Sequence, residues 1–330
     1  MKKIAVLAGT ARHDDIFGEK YFARLRKLGD VRLYDQPNFE DKAHYLDFVK
    51  GSNIIITSWG SPVIDQDVLD VCPDLELICH AAGTPKPILS DAVIAKKIPT
   101  TYSACALGEG VAETALAFAI SGAKHFYWLN EDTANGLWKE NSRQLMDFYD
   151  ITVGVVSGGF VGRHFIKLLQ NFNVDVLLYD PTMTAEQVAA LGATKAELDE
   201  MLSKSDVISI HAPSIPATAK MLNASNLPLI KDGAILINTS RGAVFDEPAL
   251  IEELKKGRFY ACIDVTDPEP PTLENELRTL KNVILTPHIA GCVTNGKRRI
   301  AKHVCEEIER FNNGEPLRTP VIFENLSKMA

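Results

Sequence analysis

The sequence predicts an α/β protein whose strands lie parallel in sheets covered by helices on both faces. Three observations carry that prediction. Short runs rich in Ile, Val and Leu alternate with amphipathic stretches along almost the whole chain. Those runs are apolar on both faces, so they need cover on both sides, and helices interleaved between parallel strands supply it. The length of 330 residues favours two domains, at ~100–200 residues each.

Taken in order, "KIAVLAG" reads as a first buried strand. The opening "MKKIAVLAGTARHDD" imitates a signal peptide, but its apolar run is short and holds Gly9 and Thr10. "GEKYFARLRKLG" is a helix closed by Gly29, and "VRLYD" a strand. Helix "DKAHYLDFVKG", strand "NIIITSW", a short helix near "DQDVLDVC", strand "LELICHA" and helix "LSDAVIAKK" follow. "GEGVAETALAFAISGAKHFYWLN" reads as one longer helix, and "EDTANGLWKENSRQ" as an exposed connection. A second α/β series starts at "ITVGVVSGGFVG". It continues through strands "VDVLLYD", "DVISIHA", "GAILINTS", "FYACIDV" and "NVILTPH" to a last helix, "NGKRRIAKHVCEEIERFNNG", ended by Gly314.

Lys plus Arg number 35 against 43 Asp plus Glu, a formal charge of −8 with no basic block. That balance argues against nucleic-acid or anionic-membrane partners, whose phosphates need clustered cations. The six cysteines, at 72, 79, 105, 262, 292 and 305, form no Cys-x-x-Cys. They read as reduced thiols of a cytoplasmic protein, and no residue cluster has metal-ligand spacing. Glu113 interrupts the longest apolar run short of the ~18 residues a membrane span needs.

The most informative segment is "VGVVSGGFVGRHFIKLL", in which an apolar strand runs through a glycine-rich turn into a helix. In the fingerprint Gly-x-Gly-x-x-Gly the glycines permit the tight turn, the approach of backbone to a pyrophosphate, and close helix–strand packing. The helix N-terminus then offers free N–H groups to the phosphates. Here the frame is Ser157-x-Gly159-x-x-Gly162, with Ser in the first place. Asp180 closes the next strand 18 residues after Gly162, where an acid accepts the hydroxyls of an adenosine ribose. It could instead merely cap a helix. A 2′-phosphate would meet that carboxylate with like charge, and "YDPTM" holds no Arg. The expected cofactor is therefore NAD rather than NADP.

Arg241 follows the strand in "AILINTSRGAVFDEPAL", Asp264 lies late in the strand of "FYACIDVTDPEPP" with Glu269 in its loop, and His288 follows the strand in "NVILTPHIAG". The carboxyl ends of parallel strands face one crevice, so a cation, a carboxylate and an imidazole could converge beside a nicotinamide. Each alone has a plainer reading: an ion-pair partner, a solvated acid, a polar strand end.

Together, the glycine turn, "HAPSIPAT" before "INTSRGAVFDEPAL", and "DVTDPEP" before "TPHIAG" resemble the D-isomer-specific 2-hydroxyacid dehydrogenase family, over about residues 100 to 315. The resemblance implies two Rossmann-like parallel-sheet domains. The NAD-binding domain, 105–293, is inserted into a discontinuous flavodoxin-like substrate domain, 1–104 and 294–330. It implies interconversion of a small 2-oxo acid and its D-2-hydroxy acid. By the same matching Arg241 orients the substrate, His288 is the general acid and base, and Glu269 pairs with it. Imidazole as a class suits proton transfer in both directions near neutrality, and a guanidinium can hold carboxylate and carbonyl together. Asp264 falls on the partner of the nicotinamide carboxamide, and Phe160 and Val161 on backbone contacts to the pyrophosphate. Ala212, Pro213, Thr218, Thr239 and Ser240 line the rest of the cofactor cleft.

The sequence departs from the family around the substrate. The carboxylate-binding loop is "HAAGTPKPI", in which Pro85 has no N–H. The resemblance leaves Ala82, Gly83 and Thr84 as donors. His80, just before them, is a further candidate contact. By the resemblance Thr57 stands where phosphoglycerate-specific members tend to carry Arg, and Trp59 adds bulk, which disfavours a phosphorylated substrate, though Lys86, Arg12 and His13 could still supply charge; Thr266 replaces the family's usual aromatic. An NADH-sensing, corepressor-like regulator on the same fold is the alternative function. Phe118, Phe126, Tyr127 and Trp128 make the 108–129 region apolar, and the family resemblance implies a homodimer through it.

Overall fold

The computed structural model describes residues 1–138, 145–291 and 293–329. The chain forms two compact units, Met1–Leu107 with Cys292–Met329, and Gly108–Gly291. Cys292 and residues 139–144 of the polar connection lie outside the described residues.

The first unit is built on strands β1 (Lys3–Leu7), β2 (Asp30–Leu33), β3 (Ile54–Thr57), β4 (Leu77–His80) and β5 (Thr100–Tyr102). All pair in parallel, in the order β2-β1-β3-β4-β5, the flavodoxin-like winding. Helices α1 (Thr10–Ile16), α2 (Gly18–Leu28), α3 (Lys42–Val49), α4 (Gln66–Val71) and α5 (Asp91–Lys96) connect them. Their starts are written in the sequence: Asp41, Asp65 and Ser90 each accept the N–H of the residue three further on, satisfying a donor the helix cannot pair internally. β1, β3 and β4 bury Ile4, Val6, Ile54, Ile56 and Leu77 on one face, against Ile300, Ala301, Val304 and Ile308 of the returning C-terminal helix, Lys297–Asn312. That helix carries a fully buried Glu307, whose carboxylate accepts from Thr101 Oγ1 at 2.7 Å and from the Arg318 and Thr319 amides. These donors are what make burial of the acid tolerable.

The second unit begins within helix α6 (Ala104–Ala123) and continues through α7 (Phe126–Ala134). Its strands are β6 (Tyr149–Val156), β7 (Asn173–Tyr179), β8 (Thr194–Lys195), β9 (Val207–Ile210), β10 (Ile235–Asn238), β11 (Tyr260–Ile263) and β12 (Val283–Leu285). They pair in parallel in the order β12-β11-β10-β9-β6-β7-β8. The order reverses between β6 and β9, the switch point at which doubly wound sheets open a crevice at their carboxyl ends. Helices α8 (Phe160–Leu169), α9 (Ala185–Ala189), α10 (Leu198–Lys204) and α11 (Glu247–Lys255) complete it, and α12 is the C-terminal helix of the first unit.

Two expectations about helices need correction. The long helix expected over 108–129 is broken at His125, which takes a left-handed φ of 50°. Tertiary packing drives the break: the His125 ring lies 4.3 Å from Tyr260 and 5.3 Å from Trp128, centroid to centroid. Glu113 does not disqualify α6 as a span either, for the helix is long and apolar enough to cross a membrane by length and composition alone. Its Ala112, Ala115, Phe118 and Ala119 are buried in the core of the second unit beside Val153, Val155 and Ile235.

Candidate active site

At the end of β6 the chain must turn sharply into α8. Ser157 makes that turn with φ +78°, the conformation for which glycine is favoured. The three glycines that follow answer three different demands. A Cβ on Gly162 would lie 2.0 Å from the Ser157 carbonyl oxygen, so helix and turn can approach only if it is glycine. A Cβ on Gly158 would lie 2.4 Å from Met183 Sδ; the methionine fills the space a larger residue would take. A Cβ on Gly159 would meet nothing nearer than Ser157 Oγ at 3.7 Å, and its φ of −70° suits any residue. The protein itself gives no reason for glycine at 159. A bare backbone facing open space at the N-terminus of a ten-residue helix fits a pyrophosphate. Phe160, 41% exposed, and Val161 open that helix.

Asp180 follows β7 and is 7% exposed. Its carboxylate accepts the Gly158 amide at 2.8 Å, the Thr182 amide at 2.8 Å and the Thr182 hydroxyl at 2.6 Å. It thereby ties the glycine turn to the end of the neighbouring strand. On the other side of the switch point, β9 leads into His211, Ala212 and Pro213. His211 is buried and pushed down to about 3 by that burial, hence neutral; Ser209 Oγ lies 3.0 Å from its Nε2. The Thr218 hydroxyl donates back to the Pro213 and Ile215 carbonyls and so closes its own loop. Thr239 Oγ1, after β10, is buried without a partner among the described residues. The Ser240 hydroxyl and amide both donate to Asn238 Oδ1.

Arg241, Asp264 and His288 stand just beyond three neighbouring strands, whose registers pair Asn238 with Ile263 and Ile263 with Leu285. A Cβ on Gly242 would lie 2.1 Å from the Thr266 carbonyl carbon, so the loops after β10 and β11 are in direct backbone contact. Asn238 Nδ2 donates to the Arg241 carbonyl, and the Arg241 guanidinium donates to the Ser240 carbonyl at 2.7 Å. Asp264, 1% exposed, organises the loop after β12. Its oxygens accept from Thr286 Oγ1 and from the Ile289 and Ala290 amides, while its carbonyl accepts the His288 amide at 2.9 Å. A nicotinamide carboxamide would share this carboxylate with those three donors. The loop holds His288 at φ +52°, a strained value for a non-glycine residue. His288 Nδ1 lies 2.6 Å from Glu269 Oε1. The carboxylate fixes the ring through one nitrogen and leaves Nε2 for an incoming group. This set holds a ring, an acid that orients it and a guanidinium at one end of one sheet, an arrangement able to move a proton beside an anionic substrate. Among the described residues no group of three His, Cys, Asp or Glu could hold a metal.

In the first unit, Ala82, Gly83 and Thr84 follow β4. The Ala82 carbonyl accepts the Ser103 amide at 2.9 Å, and the Thr84 hydroxyl is buried without a partner among the described residues. His80 is 3% exposed and lies 2.9 Å from Thr57 Oγ1 through Nδ1. Burial pushes it down to about 4, against a hydrogen bond to the Thr84 backbone. Sequence reasoning overlooked Arg163, one residue past Gly162, although "YDPTM" lacks a cation: its Nε donates to the Gly158 carbonyl at 2.7 Å and its Nη2 stands 4.0 Å from Met183 Sδ.

The family model described as "D-isomer specific 2-hydroxyacid dehydrogenase, NAD binding domain" matches residues 116–290. A glyoxylate reductase of Thermococcus litoralis is 30% identical over 88% of this chain and 90% of its own. A D-3-phosphoglycerate dehydrogenase of Archaeoglobus fulgidus is 29% identical over 78% of this chain but only 49% of its own length; the chain spans about half of that relative. Among solved structures, a phosphoglycerate oxidoreductase from Rhizobium etli superposes with a TM-score of 0.83 over 96% of this chain and 97% of its own, at 24% identity, a likeness of fold.

Proposed function

Since the chain belongs to the D-isomer-specific 2-hydroxyacid dehydrogenase family, with NAD as its cofactor, we propose that it interconverts a small 2-oxo acid and its D-2-hydroxy acid. The observation that carries the reading is the 2.6 Å contact between His288 Nδ1 and Glu269 Oε1, beyond the strands that neighbour the Arg241 loop. Bound at the Gly159 turn and Asp180, the reduced cofactor would supply the hydride that reaches C2 of the substrate. Arg241 holds the substrate carboxylate and polarises the C2 carbonyl. As that carbon is reduced, the proton on His288 Nε2 passes to the substrate oxygen, and the C2 hydroxyl forms. Glu269 keeps the ring in place and balances the imidazolium charge before the transfer. In oxidation the same nitrogen takes the proton back. Glyoxylate and hydroxypyruvate are the first substrates to try, because relatives of this chain are named for their reduction. We place the protein in the cytoplasm, where its five described cysteines, all free thiols, are stable.

The test is NADH oxidation at 340 nm with glyoxylate, hydroxypyruvate, pyruvate and phenylpyruvate, in the wild type and in His288→Gln. The substitution lowers turnover by ~10²-fold or more while NADH binding survives. Equal turnover in the variant removes His288 from the mechanism. Tight NADH binding with no turnover of any acid favours a dinucleotide-sensing regulator instead.

A further inference from the structure

We infer that the adenosine end of this site accepts a 2′-phosphate, so that NADPH is bound alongside NADH, and that Arg163 sets the balance between them. The inference rests on the dinucleotide reading of the glycine turn and goes beyond it. From sequence alone Asp180 repels a 2′-phosphate, because no cation stands in the segment after it. Folding brings two there from elsewhere in the chain. Arg163, in the first turn of α8, bends back so that Nε donates to the Gly158 carbonyl at 2.7 Å and Nη2 reaches Met183. Lys195 comes from the edge strand β8, paired beside Leu178 of β7, and donates to the Met183 carbonyl at 2.6 Å. The segment from Pro181 to Met183 is therefore flanked by two cations.

The acid expected to exclude the phosphate is meanwhile committed. Three donors already share the Asp180 carboxylate, one of them the Gly158 amide, and the Gly158 peptide joins Asp180 on its N–H side to Arg163 on its C=O side. Glu186, an exposed acid, has its carboxyl held low chiefly by hydrogen bonds at its helix start and also by Lys195. A phosphate ester approaching Asp180 thus meets two cations beside the acid, at Gly158 and at Met183. The two cations differ in what they have left to offer. Lys195 is exposed, but its ammonium is spent on a carbonyl. Arg163 spends Nε on orientation, and its terminal nitrogens stay at the exposed rim, where a guanidinium can grip a phosphate through two parallel bonds.

The experiment is titration calorimetry of NADH, NADPH and the fragment 2′,5′-ADP with the wild type, Arg163→Leu and Arg163→Lys. The wild type binds NADPH within about tenfold of NADH, and Arg163→Leu shifts the NADPH-to-NADH affinity ratio by about tenfold against NADPH. 2′,5′-ADP weakens in parallel, and Arg163→Lys, which keeps the charge, restores part of the loss. Equal weakening of both dinucleotides would make Arg163 a brace for the turn and overturn the inference. So would wild-type NADPH affinity more than about a hundredfold below that of NADH. Failure of both dinucleotides to bind would sink the cofactor assignment itself, which separates that outcome from the others.

Discussion

Gly159 and Gly162 stand three residues apart in one turn and make opposite predictions. In Gly159→Ala the new methyl carbon meets Ser157 Oγ at 3.7 Å and no other atom within 4 Å. The backbone there, at φ −70° and ψ −166°, suits alanine. The folded state has no clash to resolve, and loss of chain freedom in the unfolded state favours alanine by about 0.4–1 kcal/mol. The melting temperature is therefore unchanged or slightly raised. The same methyl occupies the space a pyrophosphate needs for backbone contact, so NADH affinity falls at least about tenfold, or ~1.4 kcal/mol. In Gly162→Ala the added carbon lies 2.0 Å from a backbone carbonyl oxygen. Backbone cannot swing aside as a side chain can, and overpacking of this kind costs about 1–3 kcal/mol, lowering stability and binding together. Thermal unfolding and NADH fluorescence titration on the two variants separate these effects. A Gly159→Ala protein that binds NADH as the wild type does would refute the argument that this glycine exists for the cofactor.

Two further expectations follow from burial. Because His80 and His211 are held down to about 4 and about 3 by desolvation, between pH 6.5 and 4 the unfolded chain takes up protons that the folded chain refuses. Stability therefore falls as pH falls through that window, by about 2 kcal/mol per ring at pH 5; urea unfolding and histidine NMR titration measure it, and rings titrating near 6.5 would contradict it. Phe126 and Tyr127 of α7, with Trp138 beyond it, are 59%, 42% and 73% exposed; we propose that a second copy covers them, and sedimentation then gives twice the 36.3 kDa chain mass. A concentration-independent monomer would exclude that dimer.

The strands were legible because strands buried on both faces leave unbroken apolar runs, as "IIIT" and "LICH" do. β8 was not, since two exposed residues, Thr194 and Lys195, carry no pattern and are strand only by pairing with Leu177 and Leu178. The break at His125 is equally hidden, because its cause is a ring 135 positions away in the sequence. The turn's glycines were visible, but their separate duties depend on Met183 and the Ser157 carbonyl, which only folding brings to them. His288 and Glu269 were nameable from motif; the work of Asp264 was not, for two of the bonds to its carboxylate come from backbone N–H groups that every residue but proline possesses. Arg163 lay next to the fingerprint, yet where a long side chain ends is decided by its rotamers rather than by its place in the chain.

The first unit's reliance on the returning helix bears on how the protein is made. Thr101 bridges to Pro320, the Val321 amide donates to the Thr100 carbonyl, and Ile300, Val304 and Ile308 seal one side of its sheet. A nascent chain leaving the ribosome thus exposes the apolar side of β1, β3 and β4 while the entire inserted unit is still being translated. The nucleotide-binding half has all its strands by Leu285, before the returning helix begins at Lys297; the half that begins first is the last to close.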